Sequence, residues 1–174
     1  VGVELRYNRL TTQGYRENNA FDRDGLLLNL ELEAGESHQI RVLANYTDYT
    51  AEIPSSLGRT DFETDPTQAA ANWKAAQGFE ANKYTLIGLS DQIRLGERFE
   101  NTSSLFLTYL DHYEPRPFNI LDEFSLGYGL RSVFTASLGD TPTAARAMLG
   151  VEIYKDEYSW STFENLYREN DGEG

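Results

Sequence analysis

The stretch Gly25–Tyr49, "GLLLNLELEAGESHQIRVLANYTDY", decides the fold because it contains two segments with the same alternating pattern. Apolar residues occupy every second position of each segment, namely Leu26, Leu28, Leu30 and Leu32, then Ile40, Val42, Ala44 and Tyr46. A period of two predicts β-strands with one apolar and one more polar face. The short segment "AGESH" between them predicts a tight turn, so the stretch is a β-hairpin.

The same alternation recurs along the rest of the chain. It predicts strands at 1–8, 83–95, 99–113, 123–138 and 144–155, and a partial eighth strand beginning near Trp160. Every connection is compatible with pairing between sequence neighbours. We therefore predict an all-β, antiparallel up-and-down meander of about seven or eight strands, spanning residues 1–174 as a single segment.

The predicted connections alternate in length. Long polar connections fall at 10–23, 52–82 and 113–122, and short turns join the strands at the opposite end of the sheet. The connection at 52–82 is long enough to contain a helix. Asp65, Pro66 and Gln68 have the spacing of a helix start, and Gly78 is suited to a helix end.

Composition limits the class of function. The 174 residues include 28 acidic and 15 basic side chains, a net charge of -13, which argues against a nucleic-acid partner and against electrostatic attachment to an anionic membrane surface. The chain has no cysteine, so it forms neither disulfides nor thiolate metal sites. It also has no run of about 18 apolar residues that would predict a transmembrane helix. Its first residue already lies within an alternating strand, and we expect the chain to be part of a longer protein.

The alternation leaves open what the apolar face contacts. In a membrane barrel it faces lipid. For the excised chain we expect one of two outcomes: a need for detergent, or a smaller closed barrel that turns this face inward. Alternating connection lengths, mid-strand charges of both signs and aromatic residues near strand ends favour a transmembrane β-barrel. Two alternatives remain: a soluble, lipocalin-like barrel that binds an apolar molecule, and an adhesive β module whose loops bind a protein.

Four segments are distinctive: "YNRLTTQGYRENNAFDRDGLLLNLEL", "LANYTDYTAEIPSSL", "AANW" after Asp65-Pro66, and "LFLTYLDHYEPRPFN". Together they resemble the barrel region of TonB-dependent outer-membrane receptors, nearest to the siderophore and ferric-dicitrate group. The resemblance implies energised uptake of a ferric chelate across the outer membrane of a Gram-negative bacterium, with lipid as a further partner. Such receptors contain a plug domain and TonB-contacting box, which we expect to be absent from this chain.

Candidate ligand-binding residues lie in the long connections. Anionic chelates favour arginine donors flanked by aromatic rings, which selects Arg16, Arg59 and Arg116 with Tyr15, Trp73 and Phe118. No catalytic constellation is apparent, so we expect neither an enzyme nor a cofactor or metal site. We interpret His38 and His112 as structural. We expect Gly127 and Gly129, on the polar face of one strand, to permit close approach by a neighbouring group.

Overall fold

The computed structural model describes residues 1–139 and 145–167. It contains one seven-stranded antiparallel sheet whose strands lie in sequence order. The strands are β1 Gly2–Thr12, β2 Phe21–Ala34, β3 His38–Glu52, β4 Phe79–Leu95, β5 Phe99–Arg116, β6 Asn119–Ser137 and β7 Arg146–Phe163. The predicted all-β meander is confirmed.

The strand register places the alternating leucines on one continuous face, here called the apolar face. Leu30 of β2 lies opposite Val3 of β1 and Val42 of β3, and the same pairing continues to the last strand. The complete central row of this face is Val3, Leu30, Val42, Leu89, Leu105, Leu130 and Ile153. A register shift of one residue would transfer any of these side chains to the opposite face.

The opposite face, here called the polar face, carries ion pairs between neighbouring strands. Glu31 pairs with Arg41 at 3.4 Å, and Arg131 pairs with Glu152 at 3.8 Å. One adjacent row of this face alternates large residues with glycine from β3 to β7: Leu43, Gly88, Phe106, Gly129 and Tyr154. The polar face is therefore not uniformly hydrophilic.

The expectation for the polar-face glycines is confirmed. A Cβ on Gly129 would lie 2.6 Å from both Phe106 Cζ and the Ile153 carbonyl oxygen, and one on Gly127 would lie 2.4 Å from the Tyr154 hydroxyl. The rings of Phe106 and Tyr154 stack at 5.8 Å between centroids, although they belong to strands on either side of β6. Only a residue without a side chain leaves room for this contact.

The sheet has no core of its own. Leu5 is 66% exposed and Leu105 is 52% exposed, and the buried hydrophobic residues among those described are Ala69, Ala76 and Tyr167, all outside the strands. In the described residues β1 and β7 each pair with a single strand, so the sheet is open. The smaller closed barrel, one of the two outcomes expected for the excised chain, is not the form seen in the described residues, because the edges of the sheet do not meet and its leucines do not face one another.

Two of the predicted long connections are present and the third is not. The first spans residues 13–20 and the second 53–78, both shorter than the predicted 10–23 and 52–82 because the strands continue further. The range 113–122 instead belongs to β5 and β6, which are joined only through Pro117 and Phe118. Proline is compatible with a strand where its missing N–H is not needed for pairing, so Pro115 does not end β5.

The eighth strand is also absent, since β7 continues through Trp160 to Phe163 and no further strand follows within the described residues. The stretch after Lys155 is rich in polar residues. Its pairing with β6 nevertheless continues without interruption to Phe163, which lies opposite Ile120.

The second connection contains two short helices in place of the single predicted one. They are α1 Arg59–Thr64 and α2 Ala71–Ala75. Asp65 follows α1 and does not start a helix: its Oδ1 accepts hydrogen bonds from the Thr67 N–H at 2.9 Å and the Thr67 hydroxyl at 2.6 Å. The left-handed residue after α2 is Gln77, not Gly78. Within the described residues, neither helix is long and apolar enough to cross a membrane.

Candidate functional site at the end with the long connections

The connections 13–20 and 53–78 pack together as one unit, here called the cap. Arg16 holds them together through its guanidinium, which donates to the backbone carbonyls of Gln68 at 3.0 Å, Ser55 at 2.6 Å and Pro54 at 3.4 Å. A planar group with five N–H donors can satisfy several carbonyls at once. Arg16 was predicted to contact a ligand, and the structure places its guanidinium on the protein's own backbone.

Two neighbours of Arg16 reinforce the cap. The side-chain amide of Asn18 donates to the carbonyls of Ile53 at 2.9 Å and Gly78 at 2.8 Å, where the second connection leaves and rejoins the sheet. Glu17 accepts from Lys74 Nζ at 2.7 Å and from the Ala69 N–H at 3.4 Å. The Lys74 ammonium, and then the Ala69 N–H, lower the pKa of the Glu17 carboxyl below its ordinary 4.5.

The predicted ligand residues do not form a single group. Arg59 lies on α1 and pairs with Glu63 at 2.8 Å, and its side chain is 89% exposed. Tyr15 projects from the first connection and is 70% exposed. Neither residue takes part in the aromatic contacts that join Trp73, Arg116 and Phe118.

Trp73, Arg116 and Phe118 do come together. The Trp73 ring meets the Phe118 ring edge-on with centroids 6.4 Å apart, and Arg116 Cζ lies 5.0 Å from the centroid of Phe118. Arg116 Nη1 also pairs with Glu114 Oε2 at 3.3 Å, and its Nε donates to Asn119 Oδ1 at 2.8 Å. Phe118 remains 67% exposed, so this group presents an aromatic surface at the tip of the β5–β6 hairpin.

Below that tip, a cluster of polar side chains joined by hydrogen bonds and charged contacts crosses five strands on the polar face. This polar cluster consists of Tyr49, Glu80, Asn82, His112, Glu114, Arg116, Glu123 and Tyr158. The Tyr49 hydroxyl donates to Glu80 at 3.0 Å, and the Asn82 amide donates to the Tyr49 oxygen at 2.8 Å. The pairing register brings these residues opposite one another from β3 to β6.

His112 is the centre of the polar cluster and is only 8% exposed. Its Nδ1 lies 2.9 Å from Asn82 Oδ1, and its Nε2 lies 3.7 Å from both Glu114 Oε2 and Glu123 Oε2. The remaining oxygen of Glu123 accepts a hydrogen bond from the Tyr158 hydroxyl. Sequence reasoning missed this cluster, because its members come from five strands. Counting along the hairpins from each turn could have found it, since Asn82, His112 and Glu123 share one row.

Charged and polar residues interrupt the apolar face near both ends of the strands. At the end with the long connections, one register row contains Arg9, Asp24, Asp48, Lys83 and Asp111. Tyrosines lie one step nearer the centre, and their hydroxyls reach outward: Tyr7 donates to Asp24 at 2.5 Å and Tyr46 to Asp48 at 3.0 Å. At the other end, His38 Nδ1 lies 2.9 Å from Asp91 Oδ2.

The distance between these polar rows defines the height of the apolar band. On β4 it runs from Lys83 to Asp91, and on β3 from His38 to Asp48. At about 3.4 Å per residue and a strand tilt of about 40°, these separations correspond to roughly 20 and 26 Å. The apolar band of outer-membrane barrels is about 25 Å tall, and tyrosine at its edges is typical.

Within residues 1–139 and 145–167, no group of three or more His, Cys, Asp or Glu side chains has the arrangement of a metal site.

No protein-family model and no curated protein matches the sequence. A solved structure does match: the ferric citrate transporter FecA in its unliganded form, with a TM-score of 0.81 and 17% sequence identity. The alignment covers 94% of this chain and 25% of the FecA chain. The chain thus has the fold of a segment of that transporter and spans about a quarter of its length.

Proposed function

We propose that this chain forms part of the wall of an outer-membrane β-barrel of the TonB-dependent receptor type. The observation that carries the proposal is the open sheet whose apolar face is a band of membrane height, bounded by tyrosines and charges, with no protein core against it. In this arrangement the apolar face contacts lipid and the polar face lines the interior. The fold similarity to a ferric citrate transporter supports the same reading.

The end with the long connections would then face the cell exterior and take part in ligand capture. Trp73, Arg116 and Phe118 are the predicted ligand residues that support this role, because they meet at one exposed surface. Tyr15 and Arg59 extend from the cap as separate contacts. Arg16 contributes by holding the cap in place. The ligand class we propose is a ferric chelate or a similarly scarce small molecule, taken up with energy supplied through the TonB system.

The soluble, lipocalin-like alternative has less support, because an open sheet does not enclose an interior for an apolar ligand. The adhesive-module alternative would leave the apolar band without a partner.

Cell fractionation tests the membrane proposal. The protein should sediment with outer membranes and resist extraction at alkaline pH, and recovery in the soluble fraction would refute the proposal. Uptake of radiolabelled iron chelates tests the transport proposal. Loss of the gene should abolish uptake of at least one chelate, and a protonophore should abolish it in the wild type, whereas uptake unaffected by either treatment would contradict the proposal.

A further inference from the structure

We infer that Arg23, on the polar face just below the cap, is a binding contact for a carboxylate group of a small anionic molecule. The contacts that support this inference all lie within this chain. The inference rests on the proposed function only for the statement that the polar face lines an interior that such a molecule can enter.

Arg23 differs from other arginines of the polar face in its charge partner. Four of them pair with a glutamate: Arg6 with Glu4, Arg41 with Glu31, Arg116 with Glu114 and Arg131 with Glu152. Within residues 1–139 and 145–167, Arg23 has no ion pair, and its guanidinium bonds to the neutral amide of Asn8. The described side chains therefore leave its positive charge uncompensated, although the net charge of the chain is -13.

The strand register positions the Asn8 amide. Asn8 lies opposite Gly25, where a Cβ would lie 2.8 Å from Asn8 Nδ2 and 2.9 Å from Asn8 Oδ1, so the amide occupies space that only a glycine leaves open. Asn8 Nδ2 donates to the Gly25 carbonyl at 3.5 Å, and Asn8 Oδ1 accepts from Arg23 Nη2 at 2.7 Å. Asn8 thus orients the guanidinium through a neutral acceptor and leaves its charge available.

The guanidinium keeps donors for an anion. Of its five N–H groups, one bonds to Asn8, and the Nε–H is enclosed without an acceptor among the described residues. The other three N–H groups are on the two Nη atoms, the end of the side chain that a carboxylate can engage with both of its oxygens. Arginine stays protonated throughout the physiological pH range, so this contact does not depend on titration.

Aromatic rings lie beside Arg23 and favour an organic anion. Tyr49 lies opposite Arg23 on β3, and the rings of Tyr49 and Phe21 lie with their centroids 5.8 Å apart. The Tyr49 hydroxyl donates to Glu80 and accepts from Asn82, which leaves the ring as the surface available beside Arg23. A single cation next to apolar surface suits a carboxylate that is carried on a carbon skeleton.

Isothermal titration calorimetry of the whole protein in micelles of a neutral detergent tests the inference. The probe is tricarballylate at about pH 8, where its carboxyl groups are ionised. Its neutral triamide is the control ligand. Tricarballylate should give a saturable heat of binding, and the triamide should bind at least tenfold more weakly. Arg23→Gln should weaken tricarballylate binding at least tenfold. Arg131→Gln, which removes an ion-paired arginine of the same face, should change it less than twofold.

Asn8→Asp separates a ligand contact from a structural role. This variant keeps Arg23 and gives it an ion-pair partner, so the folded protein should be at least as stable to urea as the wild type. Tricarballylate binding should nevertheless fall at least tenfold, because the charge of Arg23 is then neutralised within the protein. An arginine with a purely structural role would gain stability in this variant without any loss of binding.

Four results would each overturn the inference: no saturable heat with tricarballylate, equal binding of the triamide, unchanged binding in Asn8→Asp, or equal losses in Arg131→Gln and Arg23→Gln. The first is the result expected if an acidic side chain from elsewhere in the protein already occupies Arg23. None of these results depends on membrane fractionation or iron uptake, so failure of this contact is distinguishable from failure of the proposed function.

Discussion

The ring of Phe106 on β5 stacks against the ring of Tyr154 on β7 across the width of β6, with centroids 5.8 Å apart and planes 21° from parallel. Gly129 lies between them in the same register row, as Gly88 lies between Leu43 and Phe106. The two glycines differ in surroundings: a Cβ at Gly88 would meet only Leu43 Cβ, at 3.9 Å.

This difference predicts opposite effects of the same substitution. Gly129→Ala should destabilise the folded protein by about 1–3 kcal/mol, because the added methyl group overlaps Phe106 and the Ile153 carbonyl. Gly88→Ala should be neutral or stabilise by up to about 1 kcal/mol, since it reduces the freedom of the unfolded chain. Urea titration of protein folded in lipid vesicles measures both. Equal effects would contradict the close packing at Gly129.

The cap predicts a specific role for Arg16. Arg16→Gln removes the guanidinium from three backbone carbonyls and should lower the free energy of local opening of the cap by about 2 kcal/mol. Hydrogen exchange should then accelerate at the Glu17 and Ala70 amides, which bond across the cap to the Thr67 and Pro54 carbonyls.

Arg59→Gln is the matched control. Arg59 pairs with Glu63 on the same exposed helix, so the free energy of local opening of the cap should change by no more than about 0.5 kcal/mol. If both arginine variants leave hydrogen exchange unchanged, the two connections do not form one unit.

The cap should also weaken in acid through Glu17. Because the pKa of Glu17 is lowered in the folded cap, its contribution to stability is complete above the ordinary value of 4.5 and is lost as pH falls through the lower folded value. Hydrogen exchange at the Ala69 amide, measured against pH after correction for intrinsic rates, should report this loss. Glu17→Gln should remove that component of the pH dependence, and an identical profile in the variant would show that Glu17 has no part in it.

The apolar band predicts that adjacent residues of one strand tolerate charge differently. Leu105 lies in the central apolar row, and Ser104 lies on the polar face opposite Ser90. Leu105→Arg should destabilise folding into vesicles by about 2–4 kcal/mol, the cost of an arginine near the bilayer midplane. Ser104→Arg should cost less than about 1 kcal/mol, because it enters a polar interior. A similar loss of folding free energy at the two positions would show that the two faces do not differ in their contact with lipid.

The sequence was sufficient to predict which residues share a face, because the period of two is a local property. It predicted the hairpin formed by Leu26–Leu32 and Ile40–Tyr46. It also predicted that Gly129, which has no side chain, lets neighbouring groups approach closely. It failed at 113–122, a predicted long connection whose residues belong to β5 and β6 except for Pro117 and Phe118. It also failed at Asp65, whose side chain bonds to Thr67 after a helix and not at the start of one.

The candidate site was less predictable, because its geometry depends on contacts between distant segments. Arg16 has the N–H donors that an anionic ligand needs. Only the folded cap reveals that these donors already bond to the carbonyls of Pro54, Ser55 and Gln68. His112 is isolated in the sequence. Its partners Asn82 and Glu123 become neighbours only once the registers of β4, β5 and β6 are known.

The central claim is that the apolar face contacts lipid and the polar face contacts water, and single spin labels along β3 test it most directly. These 174 residues contain no cysteine, so each introduced cysteine is the only labelling site within this segment. From Ile40 to Tyr46 in vesicles, even-numbered positions should be accessible to oxygen, which concentrates in lipid, and odd-numbered positions to a water-soluble nickel chelate. Equal access to the nickel chelate at both sets of positions would contradict the account.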